Sequence, residues 1–462
     1  MTATNLTPMQ RKIIVALTLS SSFLSVLMMF LLITAYPRIM QEFAISSTDV
    51  QWLTTSFMLT TAVLIPITAY FIDTFKTRTV MISAMVLFLI GTLIGFIAQS
   101  FPVLIIGRLI QGIGSGIMIP LMQTILYLVF PREKRGAAMG LAGMITNVAP
   151  AVGPPLSGVL IEYFGWRSLF FIPLPIAGFL LLLVIVYMKN VTEQRKTEVD
   201  MLSILLSIIG FGGTLYGFSK WPETGLTDPV TALSLTIGIV GILLFSWRQL
   251  KLKVPTLEIR VLKVPLFILA SILTVLGFSL LIVTETIMPM YVQNAQQNTA
   301  YYAGLIVMPG ALTLALMSYL AGKLFDKYGG RPVSIAGYII IVISLLCYYF
   351  ILDLNTPFVV AMLLFMVSMV GYALTNMPII TSGINALPDK LIPHGTSVIN
   401  TIRQFGGTIG LTFIISFISR AEGDTATIDP ANYLAGVKSA FFVSLMIAVI
   451  GLFLSFLIRE ER

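Results

Sequence analysis

The sequence predicts an all-α polytopic membrane protein with fourteen transmembrane helices. Three observations predict it. The 462 residues are 57% hydrophobic and only 10% charged, with a mean hydropathy of +0.96, whereas a soluble domain carries roughly a quarter charged residues. Apolar runs of about 18–25 residues, enough to cross a bilayer as helix, recur fourteen times. Basic residues alternate in step with those runs.

In order, the runs lie near 13–35, 49–71, 79–99, 104–128, 137–161, 168–188 and 201–219, then 229–247, 266–290, 303–322, 332–352, 357–380, 397–418 and 436–458. Arg11 and Lys12 precede the first run as they would a signal peptide. The run outlasts an h-region of about 7–15 residues and no small-residue cleavage site follows, so it is a retained span. Connections are mostly short turns, and none could fold as a soluble domain. An even number of spans puts both ends on one side.

The loops on that side hold Lys76, Arg78, Arg132, Lys134, Arg135, Lys189, Arg195, Lys196, Arg248, Lys251, Lys253, Arg260, Lys263, Lys323, Lys327, Arg331 and Lys390, with Arg403 just inside the next helix. With Arg11, Lys12, Arg459 and Arg462 they make 22 of the 28 basic residues, against five opposite: Arg38, Arg167, Lys220, Arg420 and Lys438. The positive-inside rule makes the termini cytoplasmic. It also accounts for the net charge of +8 without a nucleic-acid partner.

An internal repeat divides the chain. Ala69, Asp73 and Arg78 follow the second run, and Gly322, Asp326 and Arg331 follow the tenth at the same spacing. This predicts two parallel six-helix bundles, 1–190 and 263–462, with two inserted helices and their linkers at 191–262. Parallel repeats about an axis along the membrane normal are a transporter architecture. A carboxylate at such a turn can accept from the N-terminal amides of a neighbouring helix and pair with basic residues across the bundle interface. The alternative is a polar loop that only stops the helices.

Four further stretches carry chemistry. Gly107–Pro120 puts Arg108 at membrane depth among Gly112, Gly114 and Gly116. Such an arginine needs a polar cavity or a partner, and small residues admit a neighbouring backbone. Its countercharge is Glu285 across the cavity, or a substrate, or it is a structural residue on helix carbonyls and Gln111. Pro150, Gly153, Pro154 and Gly158 predict a bent, closely packed fifth helix. Glu285 is the acidic residue that lies well inside a run. Burial disfavours its charged form, as a proton carrier requires. Alternatively it is solvated at the outer interface, with Pro289 ending the helix one turn on. Asn400, Arg403 and Gln404 share a helical face, where they line a cavity or bind an anionic group, unless Arg403 snorkels to the headgroups. No phosphate loop, zinc-protease or nucleophile-elbow pattern is present, and Cys347 and His394 are the lone residues of their types. No enzyme, metal site or cofactor is predicted.

These motifs, with Val50-Gln-Trp-Leu53, Gly107-Arg-Leu-Ile-Gln-Gly112, Pro131-Arg-Glu-Lys-Arg-Gly136, Ala149-Pro-Ala-Val-Gly-Pro154, Gly165-Trp-Arg167, Ala303-Gly-Leu-Ile-Val-Met-Pro309 and Arg403-Gln-Phe-Gly-Gly407, occur in order along nearly the whole chain. The set resembles the major facilitator superfamily, in its fourteen-helix drug:proton antiporter branch of EmrB/QacA and LmrB-like type. The resemblance implies a bacterial cytoplasmic-membrane exporter of lipophilic drugs, monomeric, driven by the proton gradient through alternating access. An exporter of one endogenous lipid-like metabolite is the alternative. A sensor or scaffold would need a soluble domain or long tail, and neither is in this sequence.

By the same resemblance Arg108 assists proton coupling, Asp73, Arg78, Asp326 and Arg331 form gates, and Ala149–Gly158 is an antiporter motif between the halves. Two departures stand out. Ala69, Thr74 and Thr77 replace the usual Gly, Arg and Gly of the first gate, which implies a weaker clasp there. Met28 occupies the place of a common intramembrane acid, so Met28 and Gln111 would line a cavity for neutral, zwitterionic or monocationic substrates.

Overall fold

The computed structural model describes residues 6–192, 194, 200–422 and 429–459. Among the described residues, fourteen helices are long and apolar enough to cross a membrane, and no strand is present. They are α1 (Pro8–Phe43), α2 (Asp49–Thr74), α3 (Thr77–Ile97), α4 (Phe101–Val129), α5 (Arg132–Phe164), α6 (Ser168–Tyr187) and α7 (Met201–Trp221). The rest are α8 (Pro229–Lys251), α9 (Pro265–Ala295), α10 (Tyr301–Tyr328), α11 (Gly330–Ile351), α12 (Phe358–Asn385), α13 (Asp389–Ile418) and α14 (Pro430–Ser455). Arg195, Lys196 and Arg462 of the charge pattern, and the side chain of Arg420, lie outside the described residues.

Several helices are started by polar caps. Thr7 with Gln10, and Ser46 with Asp49, form capping boxes that satisfy the first free amides of α1 and α2. The start of α13 differs most from its apolar run: a 3-10 turn at Asp389–Leu391 leads into helix at Ile392, through the polar stretch His394–Ser397. Pro289 does not end α9, which continues through a π-helical turn at Tyr291–Ala295. The two repeat turns differ in backbone. Gly329 closes α10 at φ 85°, a left-handed conformation that suits glycine, whereas α2 ends at the extended residue Phe75.

The packing repeats with an offset of eight helices. α1 lies against α4, α5 and α6, and α4 sits between α2 and α3; likewise α9 lies against α12, α13 and α14, and α12 sits between α10 and α11. The two sets meet along two seams, α5 on α10 and α2 on α13, which the same offset interchanges. One hydrophobic core fills the first set and extends into Phe267, Ile384, Leu387, Ile392 and Ile399 of the second; another fills α9–α14.

The inserted pair α7 and α8 pack on each other, with Gly210 and Gly213 facing Gly241 and Gly238. Asp200, just before α7, receives two bonds from Arg248 at 2.8 and 2.9 Å. The guanidinium holds that carboxyl well below its usual range, at about 2. α7 also spans the α2–α13 seam. Tyr216 stacks on Trp52 of α2 at 5.9 Å, Phe211 meets Phe405 of α13 edge-on at 5.4 Å, and Thr412 of α13 donates to the Phe218 carbonyl.

Candidate functional site

Arg108 on α4 has no exposed surface. Its Nε donates to the Leu53 carbonyl of α2 at 2.9 Å. One terminal nitrogen donates to the Met28 carbonyl of α1 at 3.2 Å and to Gln111 Oε1 at 2.6 Å, and Gln111 donates on to Thr92 of α3. The guanidinium lies over the Phe57 ring at 4.3 Å. Four helices are thereby tied to one cation. Gly91 and Gly107, and Gly112 against Phe57 and Thr60, let the backbones come close enough: a Cβ on Gly91 would sit 2.6 Å from the Gly107 oxygen.

Of the three arrangements open to the sequence, the structure therefore takes the third. Arg108 is held through Nε and one terminal nitrogen by carbonyls and Gln111, its other terminal nitrogen is buried without a hydrogen-bond partner among the described residues, and it does not pair with Glu285. Met28 and Gln111 likewise have no exposed surface. Met28 contributes its carbonyl, not its side chain. Because Arg108 and Glu285 share no partner, the changes in thermal stability caused by Arg108→Gln and Glu285→Gln should add. A coupling energy above about 0.5 kcal/mol in a double-mutant cycle would contradict that.

The halves are joined at the end that carries the termini. Asp326 accepts from the amides of Gly136 and Ala137, at the start of the α5 helix, both at 2.8 Å. Arg135 reaches Asn385 and Asp389 of the other half at 3.1 Å each. Asp73 meets His394 of α13 at 3.0 Å. Thr124 bonds Thr396, Tyr127 bonds Thr381, and Asn400 donates to Gln123. Deeper in, Asn147 donates to Ser318. Gly136 and Gly140 meet Gly322 backbone to backbone. This is a state shut at the terminal end. Neither partner arginine joins its clasp. Arg78 is exposed and donates to the Ile185 carbonyl of its own half, and Arg331 is exposed without a hydrogen bond or ion pair to the described residues.

α9 and α13 cross where Ser279 donates to the Gly406 carbonyl at 2.6 Å and Gly407 and Gly410 admit Phe278 and Ser279. This places Arg403 half-buried with its guanidinium over Phe278 at 4.7 Å, rather than stretched toward a helix end. Glu285 is two turns along from Phe278, on the same face of α9. It is half-buried, and it makes no hydrogen bond or ion pair with any described residue. Gln404 is half-buried beside Arg403, while Asn400 is 3% exposed and occupied by Gln123.

The antiporter-motif stretch lies elsewhere than the resemblance implies. Gly153 packs on Phe30 and Leu27 of α1, Ser157 bonds Thr34 of α1, and Gly158 faces open space. The part of α5 between the halves is Gly136–Asn147 instead. Helix continues through Pro150, Pro154 and Pro155.

Residues 18–411 match the family model described as Major Facilitator Superfamily. The chain belongs to the Major Facilitator Superfamily. This superfamily transporter is 46% identical to the uncharacterized MFS-type transporter YcnB of Bacillus subtilis, over 98% of this chain and 96% of YcnB. It is 37% identical to the lincomycin resistance protein LmrB of Listeria monocytogenes over 97% of each. It is 28% identical to the multidrug resistance protein Stp of Mycobacterium tuberculosis over 90% of this chain and 77% of Stp. Its fold is similar to that of the human organic anion transporter MFSD10, with a TM-score of 0.66 at 13% identity over 97% of this chain and 100% of the other. Membership makes the chain a multi-pass membrane transporter of small molecules and not an enzyme, and its bacterial relatives place it in a bacterial cell membrane.

Sequence reasoning missed Gln123, Tyr127, Arg135, Asn385 and His394 as contacts between the halves of this transporter. One signal was available. Pro131 and Pro388 each open a polar turn ahead of an apolar run, which marks the starts of α5 and α13 as candidates for equivalence.

Proposed function

We propose that the transporter exports lipophilic small molecules in exchange for protons, alternating between a state shut at the terminal end and one open there. The observation that carries the reading is Glu285: a half-buried carboxylate without a protein partner, on the wall it shares with Arg403. A carboxyl with no fixed countercharge can gain and lose a proton as the cavity changes sides. In this reading Glu285 carries the proton and Arg108 positions α1, α2 and α4 around the cavity. Asp73 and Asp326 hold the terminal gate, with Arg78 fixing the end of α6 and Arg331 flanking the turn between α10 and α11. Arg403 and Gln404 contact substrate, Asn400 joins them once the gate parts, Pro150, Gly153 and Pro154 shape α5 against α1, and Gly158 lies on the open side of the same helix. The moving bodies are 1–190 and 263–462, with 191–262 as the inserted pair. The names of LmrB and Stp support drugs as cargo.

Everted vesicles with an imposed proton gradient test this. Lincomycin, ethidium and a fluoroquinolone should each be accumulated, each should dissipate the gradient, and each should compete with the others. Uptake without proton movement would remove the exchange. Transport of one compound without competition from the rest would favour a single-metabolite exporter.

A further inference from the structure

The starts of α5 and α13 are equivalent position by position. Each follows a proline, Pro131 or Pro388, and a 3-10 turn, Arg132–Lys134 or Asp389–Leu391. In each, the first α-helical amide, Arg135 or Ile392, bonds back to the start of that turn, Arg132 or Asp389. The next two residues are Gly136 and Ala137 in α5, and Pro393 and His394 in α13. In α5 both amides go to Asp326. In α13 the first of the pair is a proline, which has no N–H to give. Asp73, the equivalent of Asp326, therefore cannot be cradled in the same way.

The second residue supplies what is missing. His394 is 4% exposed and Asp73 8%. His394 Nδ1 accepts the Glu258 amide at 3.0 Å, so Nε2 carries the hydrogen and donates it to Asp73 Oδ2, also at 3.0 Å. The Glu258 carboxylate turns away to Arg260. Glu258 lies on the linker between the inserted pair and α9.

We infer that His394 is a positioning residue of the gate: its ring replaces the helix-start amides in the first-half clasp, and it ties the linker after α8 into the closed state. This rests on reading Asp73 as a gating carboxylate. The two gates are therefore chemically unlike, one made of backbone and one of a side chain held from behind by a third segment. The departure of Ala69, Thr74 and Thr77 from the usual gate motif is accompanied by this change of donor.

The test reads gate opening without reference to cargo. Thr381 has no exposed surface and lies at the sealed interface against Tyr127. In a Cys347→Ala background, Thr381→Cys should react with a maleimide only when the terminal end parts. His394→Ala should speed labelling about tenfold, the effect of one lost bond to a charged group. His394→Gln should stay within about twofold of the parent, since its amide can donate to Asp73 while its oxygen accepts from Glu258. Asp73→Ala should match His394→Ala, and the double variant should add nothing more. Labelling of His394→Ala at the parental rate, or of His394→Gln as fast as His394→Ala, would overturn the role of the ring. If Asp73→Ala alone speeds labelling, the gate stands and the histidine does not. If none of the variants does, the gating reading itself fails. His394→Gln and Asp73→Ala keep the test readable should His394→Ala not fold.

Discussion

Glu285→Gln is expected to reduce proton-driven efflux in vesicles to background while leaving substrate affinity within about threefold of the parent. The substitution keeps size and removes only the ability to change charge. No described residue hydrogen-bonds or pairs with this carboxylate, so no buried group loses its partner and the fold has no reason to respond. That separates Glu285 from Arg108, where truncation would strand Gln111 and two helix carbonyls. Normal pumping by Glu285→Gln would remove it as the proton carrier, whatever the cargo.

Asp326→Ala should have the next largest effect, on the conformational equilibrium rather than on chemistry. It deprives the Gly136 and Ala137 amides of an acceptor they reach at 2.8 Å. Bonds from backbone amides to a carboxylate contribute about 1.5–3 kcal/mol each when buried. Allowing for partial exposure, the pair stabilises the shut state by about 2–3 kcal/mol, or a population shift on the order of 10²-fold. Maleimide labelling at Thr381→Cys should accelerate accordingly, and turnover should fall as return to the shut state becomes limiting. Asp326→Asn retains one acceptor and should fall between. Parental labelling by Asp326→Ala would show that the glycine crossing of α5 and α10 closes the gate unaided.

The fourteen spans, their pairing by eight and the repeat at Asp73 and Asp326 were legible because each is written in local pattern: run length, spacing, charge. What was hidden depends on neighbours distant in sequence. Arg108 could be recognised as a cation at depth, yet its partners are carbonyls of Met28 and Leu53, which no side-chain reading exposes. The same limit misplaced Ala149–Gly158 between the halves. Glycines and prolines announce a close approach without naming the helix that approaches, which is α1. The role of His394 is hidden because the helical register at Ile392 cannot be read from a polar stretch, and only that register makes Pro393 the counterpart of Gly136.

The way α7 bridges the α2–α13 seam makes the protein's circumference unequal. On the opposite flank neither α7 nor α8 packs across α5 and α10 among the described residues, so lipid chains reach the outer side of that seam directly. On the bridged flank they meet α7 and α8 first. Lateral pressure and thickness of the bilayer thus bear unevenly on a molecule whose two halves are nearly alike. A change in membrane composition is then felt chiefly where α5 meets α10, on the side of the backbone gate.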